Sequence, residues 1–280
     1  MKHRITGIRR ENIFSPNRIG DDAAIFDRVS ELLRQKGCDV TEYEEAEFRN
    51  ETAGDGLVFT MARDIRTLRK LQLLEDEGRV VVNSAYGVEN CSREKMTRLL
   101  IDNNIPHPKS RIFPVAEADI DLSIIGSGCW MKRGDCHAVC REDVTFVRSA
   151  EEVVAVIREY ARRNIPSIVV NEHLEGDLIK FYGVAGTDFF YWFYPDCLNY
   201  SKFGLEIVNG KRQNIRFDIS ALKTLCARTA QVLNVSVYGG DIVISSDGTM
   251  RIIDWNDWPS FAPCLERAAP FIAQHIYSQL

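Results

Sequence analysis

The sequence predicts an α/β protein in which a small parallel βα unit precedes a larger, strand-rich α+β part. Three observations carry this. Strand-like runs alternate with helix-patterned segments through the first ninety residues, the signature of a parallel sheet covered on both faces. Later segments are short, rich in β-branched and aromatic residues, and end in an Asp-Gly hairpin. The chain has 280 residues, 45% hydrophobic and 27% charged, the composition of a soluble globular protein with room for two domains.

HRITGI reads as a short strand. DDAAIFDRVSELLRQKG carries apolar residues at helical spacing and stops at Gly37, a C-terminal cap. CDVTEY and GLVFTMA read as strands, DIRTLRKLQLLEDEG as a helix and RVVVN as another strand. This part ends near Asn90. Ser92 stands as N-cap for REKMTRLLIDNN, which must stop before Pro106 and Pro108. CWMKRGD, CHAVC and VTFV are strand-like, and SAEEVVAVIREYARRN is a helix capped by Ser149. SIVVNEHL and KFYGVAGTDFFYWFYP read as strands, with the aromatic run expected in the core. DISALKTLCARTAQVLN is a helix leading into the hairpin, and an amphipathic helix runs through CLERAAPFIAQHIYSQL.

Composition narrows the function. A net charge of -5 argues against a general nucleic-acid or anionic-membrane surface, though a local basic cleft is compatible with it. MKHRITGIRR lacks the apolar stretch of a signal peptide, and no apolar run approaches the about 18 residues of a membrane span. A cytoplasmic setting is therefore expected, with the eight cysteines reduced. Cys129, Cys136, His137 and Cys140 lie close in sequence, but Cys136-x-x-x-Cys140 has no matching ligand pair, which favours thiols over zinc.

The hairpin GGDIVISSDGTMRIIDWNDWPSF holds an oddity. With Asp247 and Gly248 as a two-residue loop, counting outward sets Asp241 opposite Asp254. Two carboxylates about 5 Å apart repel by roughly 3 kcal/mol at an effective dielectric of ~20. Asn256 shares their face, so the three would form a hard oxygen set suited to Mg²⁺. From the hairpin alone, aspartates splayed into solvent as turn formers stand level with this reading. Lys95 in the first turn of its helix suits an anion, and Lys132 follows Trp130-Met131 in a strand; a solvated lysine and an edge lysine explain them equally well.

Taken in order, VNSAYGVENCSREKMTRLLIDNNIPHPKS, WMKRGD, IVVNEHLEGDLIKFYGV and the hairpin resemble the ATP-grasp superfamily over nearly the whole chain. The resemblance implies an ATP-grasp fold, with a small lid subdomain over 91–171 and a large metal-bearing subdomain over 172–280, preceded by a βα domain over 1–90. It implies ATP with Mg²⁺, or Mn²⁺ in its place. Lys95 and Lys132 match the lysines that hold ATP phosphates. Glu172 matches the residue near the adenine amino group, with the Leu174 backbone beside it, Asp177 at the ribose and Lys180 toward the phosphates. Asp241, Asp254 and Asn256 match the metal ligands, with Asp where the family commonly has Glu in the middle. The glycine-rich lid loop is reduced to Gly134, and His137 is either a phosphate donor or a strand histidine.

The expected activity is an ADP-forming ligase that activates a small-molecule carboxylate as an acyl phosphate and joins it to an amine. Lys132 would serve catalysis, and Arg216 or Lys202 would hold the substrate carboxylate, with solvated loop charges as the plainer account of both. A kinase of a small hydroxyl compound and a non-catalytic nucleotide-binding module are the alternatives.

Overall fold

A computed structural model describes residues 2–51, 54–117, 128–195, 208 and 210–280. Strands β1 (Arg4–Ile8), β2 (Asp39–Tyr43), β3 (Leu57–Thr60) and β4 (Val81–Val82) form a parallel sheet in the order β2-β1-β3-β4. Helices α1 (Ile19–Gln35), α2 (Glu45–Phe48) and α3 (Ile65–Asp76) connect them. The Asp64 side chain caps α3 by accepting from the Arg66 and Thr67 amides.

Two short helices follow, α4 (Ala85–Asn90), which the sequence reading left out, and α5 (Arg93–Asp102). Next, β5 (Ser110–Pro114), β6 (Cys129–Arg133), β7 (Val144–Val147) and β8 (Ser167–Glu172) build an antiparallel sheet in the order β5-β8-β6-β7. Helix α6 (Ala150–Arg162), capped by the Ser149 hydroxyl, covers one face. CHAVC is a loop rather than the expected strand. Its polar backbone is claimed by side chains outside it: Asp143 accepts the Val139 and Cys140 amides, and Arg93 donates to the Cys136 carbonyl.

A second antiparallel sheet, β10-β9-β11-β12, contains β9 (Asp177–Val184), β10 (Phe190–Phe193), β11 (Val237–Ile244) and β12 (Met250–Asp257). Helix α7 (Ile219–Leu233) starts on the Asp218 side chain and stops where Asn234 turns left-handed at φ 57°. It packs with α5 under this sheet, burying Phe181, Ile242 and Trp255. The aromatic run is packing: Phe190 stacks on Phe181, and Trp192 meets Phe217 edge-on. The last helix, α8 (Leu265–Tyr277), returns to α1 and shares the core of the first sheet.

The β11–β12 hairpin reaches the expected pairing by an unexpected route. Its loop has three residues, Ser246 to Gly248, because Ser245 donates its amide to Thr249 and Gly248 sits at φ 81°. Ile244 therefore pairs with Met250, and Ile242 with Ile252. An irregularity then leaves Ile253 as an extra residue and returns Asp241 to Asp254. The bulge also inverts the faces of β12. Ile252 points into the core, and strict alternation would send Asp254 after it; instead Trp255 is buried and Asp254 is turned out.

Candidate active site

The two antiparallel sheets face each other across a cleft of about 260 Å³, closed at one end by the first unit. Strand alternation selects the lining. On β6, Cys129 and Met131 enter the core while Trp130 and Lys132 face the cleft. On β9, Ile179 and Phe181 are core and Leu178, Lys180 and Tyr182 line the cavity. Asp241, Asp254 and Asn256 complete the wall from the hairpin.

The repulsion between the paired carboxylates is offset by cations of the protein itself. Lys180, directly across the ladder from Asp241, holds both its oxygens at 3.2 Å. Arg93 brings its Nε to 3.8 Å from Asp254 Oδ1. Burial pushes the Asp254 carboxyl up, but Arg93 and then Lys132 more than compensate and hold it below the usual range. Lys132 is 7% exposed and donates from Nζ to the carbonyl of the bulged Ile253 at 2.8 Å. Burial lowers its ammonium to about 8, against the pull of Asp254.

These donors suit a hard divalent cation. Asp254 Oδ1 is buried with no hydrogen-bond partner among the described residues, and Asp241 and Asn256 add oxygens on the same face. No group of three or more His, Cys, Asp or Glu side chains is placed to hold a metal ion among the described residues. Two carboxylates and an amide are instead the kind of partial set that substrate phosphates and water complete for Mg²⁺.

Glu172 and Leu174 line the cleft at its other end, near Trp130 and Pro108. One Glu172 oxygen accepts the Lys109 amide at 2.8 Å, fixing the carboxylate at the junction of the two sheets.

Three sequence-based assignments fall elsewhere. Lys95 lies outside the cleft and pairs with Glu89 at 2.6 Å. Arg93, Met96, Thr97 and Leu100 form the buried face of α5, and a two-residue step of about 200° turns Lys95 away from Arg93. Arg93 occupies the place expected of Lys95. Asp177 is 1% exposed and shares the core-facing parity of Ile179; its oxygens accept the Gln213 and Ile215 amides at 2.6 and 2.7 Å. It anchors the 213–215 backbone rather than reaching a ribose. Arg216 has an exposed side chain and a carbonyl beside Gly248 at the hairpin tip, roughly 20 Å along the strands from Asp241. Lys202 lies outside the described residues.

A buried network that no sequence motif announces lies where the first unit meets the hairpin. Arg10 donates to Asp22 at 3.0 Å and to the Trp258 carbonyl at 2.8 Å, and Arg63 pairs with Asp257 at 2.8 Å. His137 Nε2 lies 2.8 Å from the same oxygen, Asp257 Oδ1. Asp257 is fully enclosed, and Arg63 foremost, with His137, holds its carboxyl far below the usual range against the effect of burial. Helical phase could have pointed to Arg93; no local pattern announces partners some 200 residues apart.

No family model matches the chain, and no curated protein matches it in sequence. Solved structures do match its fold. An ATP-grasp RimK domain protein from Sphaerobacter thermophilus is 16% identical, covers 98% of this chain and 99% of its own, and superposes with a TM-score of 0.71. D-alanyl-alanine synthetase A from Vibrio cholerae is 11% identical over 99% and 98% of the two chains, with a TM-score of 0.70. The ATP-grasp ligase PsnB, in complex with a minimal precursor, Mg and ADP, is 17% identical over 98% and 97%, with a TM-score of 0.61.

Proposed function

We propose, from the ATP-grasp fold that this chain has and from the groups its cleft gathers, an ATP- and Mg²⁺-dependent ligase that activates a carboxylate as an acyl phosphate and joins it to an amine. The observation that carries the reading is the meeting of Lys132, Arg93 and Lys180 with Asp241, Asp254 and Asn256 on the facing walls of one cleft.

Glu172 and the Leu174 backbone receive the adenine edge. Arg93, Lys132 and Lys180 spread over the phosphates, offsetting charge as the terminal phosphoryl group moves to the substrate carboxylate. Asp241, Asp254 and Asn256 would hold Mg²⁺, which when bound neutralises phosphate charge. Little covalent work falls to the protein; it positions the reactants and excludes water. Arg10, Arg18 and Arg63 line the first-unit end of the cavity, where the acid would enter.

Free amino acids and short peptides both belong among the substrates tested, since PsnB is seen with a precursor. No helix of the described residues is long and apolar enough to cross a membrane, and the described cysteines are free, which fits a cytoplasmic enzyme.

The test is ADP release from MgATP across amino acids, short peptides and polyols, alone and in pairs. Turnover that requires both a carboxylate and an amine, and that Asp241→Asn or Asp254→Asn abolishes without changing the circular dichroism spectrum, supports the ligase. Turnover with a polyol alone would replace it with a kinase, and silence throughout with a non-catalytic module.

A further inference from the structure

His137 was a candidate phosphate donor by sequence, and the geometry gives it the opposite polarity. Its Nε2 meets a carboxylate that is 1% exposed and also gripped by Arg63 at 2.8 Å and Arg10 at 3.6 Å. With both oxygens already taking guanidinium N–H groups of Arg63, Asp257 is the acceptor toward Nε2 as well. The imidazole must therefore carry its hydrogen on Nε2, leaving Nδ1 a lone pair. Burial first, then Arg63, keeps the ring neutral by lowering it to about 4.

Nδ1 is enclosed and has no hydrogen-bond partner among the described residues, although the ring lines the cleft. A buried acceptor left unanswered is destabilising. Phosphate and carboxylate oxygens are acceptors themselves and cannot relieve it. Of the cleft's cations, Lys132 donates to the Ile253 carbonyl, Arg10 and Arg63 donate to Asp22, Asp257 and main-chain oxygens, and Arg93 Nε, itself without a hydrogen-bond partner among the described residues, does not reach Nδ1. An N–H of an incoming substrate can.

We propose that His137 receives the attacking amine, its Nδ1 accepting an N–H of the nucleophile and taking that proton as the carbon–nitrogen bond forms. The assignment rests on the ligase reading and deepens it. The amine nitrogen attacks the acyl carbon, the bond from that carbon to the phosphate oxygen breaks, and phosphate departs with the electron pair. The surplus proton passes to Nδ1, and the resulting imidazolium faces the Asp257 carboxylate until the leaving phosphate or solvent takes the proton.

Two variants test it, with hydroxylamine as the amine probe alongside MgATP and the acid that releases ADP in the screen above. His137→Gln keeps a donor toward Asp257 but removes the basic nitrogen that takes the proton. Asp257→Asn weakens it: Oδ1, which Nε2 shares with Arg63, becomes a neutral amide oxygen, so the imidazolium that forms loses its counter-charge. Both should lower kcat/KM for hydroxylamine about tenfold or more, as loss of a proton acceptor does. KM for ATP should stay within about twofold, whereas a purely structural role would move both. Nitrogen-15 spectra of the full chain should show hydrogen on Nε2 in the native protein, and hydrogen on Nδ1 there would overturn the assignment. Native hydroxamate formation with unchanged hydroxylamine dependence in His137→Gln overturns the assignment alone. Absence of hydroxamate from the native protein with every acid overturns the ligase reading and this assignment together.

Discussion

Arg93 and Lys95 stand two residues apart on one helix and face opposite ways, which makes them a direct test of the cleft. Arg93 is held beside Asp254, while Lys95 pairs with Glu89 in solvent. Charge-assisted contacts worth about 1.5–3 kcal/mol predict that Arg93→Ala weakens MgATP binding by roughly 10- to 100-fold in calorimetry. Lys95→Ala should change it by less than about twofold, because exposed ion pairs contribute little. Equal losses in both variants would mean that α5 presents a different face to ATP. Lys132 adds a pH dependence. Its ammonium is lowered to about 8, so in the free protein it is charged below that pH and neutral above. Binding to phosphate requires the charged form, so MgATP affinity is full below about pH 8 and falls toward tenfold per unit above it, until the ordinary lysine value is reached. Lys132→Arg should flatten the decline, since a guanidinium keeps its proton throughout. A native profile that is level to pH 9.5 would remove Lys132 from the phosphate site.

At the scale of elements, the β11–β12 hairpin separates a turn that shapes the strand ends from a bulge that aims the site. Gly248 and Gly240 report on the two. A methyl group on Gly248 has space but not conformation, since φ there is 81°. Gly248→Ala should cost about 1 kcal/mol and lower Tm by roughly 2–4 °C, with MgATP affinity unchanged. On Gly240 the methyl would strike the Asp254 carbonyl oxygen and press within 2.8 Å of the Phe181 ring. Gly240→Ala must displace β12 where it carries Asp254, so thermal stability and MgATP affinity should fall together; an affinity left intact would show that the bulge tolerates movement. The same hairpin shows what could be read in advance. Period-two and helical patterns carry their own physics, so the strands, the long helices and the cleft-facing parity of Lys132 and Lys180 were legible. The Asp241–Asp254 pairing was legible too, but only because a loop one residue longer than counted and a bulge of one residue cancel. Asp177 was misplaced although alternation along β9 puts it with Ile179, and Lys95 although helical phase favours Arg93. The CHAVC loop was not legible, because Asp143 and Arg93 compete for its backbone from outside the segment.

Across the whole molecule, the chain's end completes its beginning. Arg10 ties the first unit to the Trp258 carbonyl, and Trp258 and Phe261 enter the same core as Phe26, Val29 and Phe59. Helix α8 adds Ala268, Ala269, Ile272, Ala273 and Ile276 to that core, all fully buried. None of this has a local signal: the partners are some 200 residues apart, and each segment alone reads only as an amphipathic helix or an aromatic turn. Physically it means that the parallel sheet is covered on one side by α1 and by residues from the far end of the chain. Full burial of side chains the size of Ile, Phe or Trp contributes about 1.5–3 kcal/mol each. Four such groups supplied from the chain's end match the about 5–15 kcal/mol of net stability a domain possesses. Residues 1–90 produced alone should therefore show no cooperative thermal transition in circular dichroism, despite containing every strand of their sheet. Joining residues 257–280 to them through a Gly-Ser linker should restore one, and replacing Ile272 and Ile276 with Ser in that fusion should abolish it again. A sharp transition in residues 1–90 alone would show that the first sheet holds its own core, and that the contacts with α8 serve to place Arg10 and Arg63 at the cleft rather than to fold the unit.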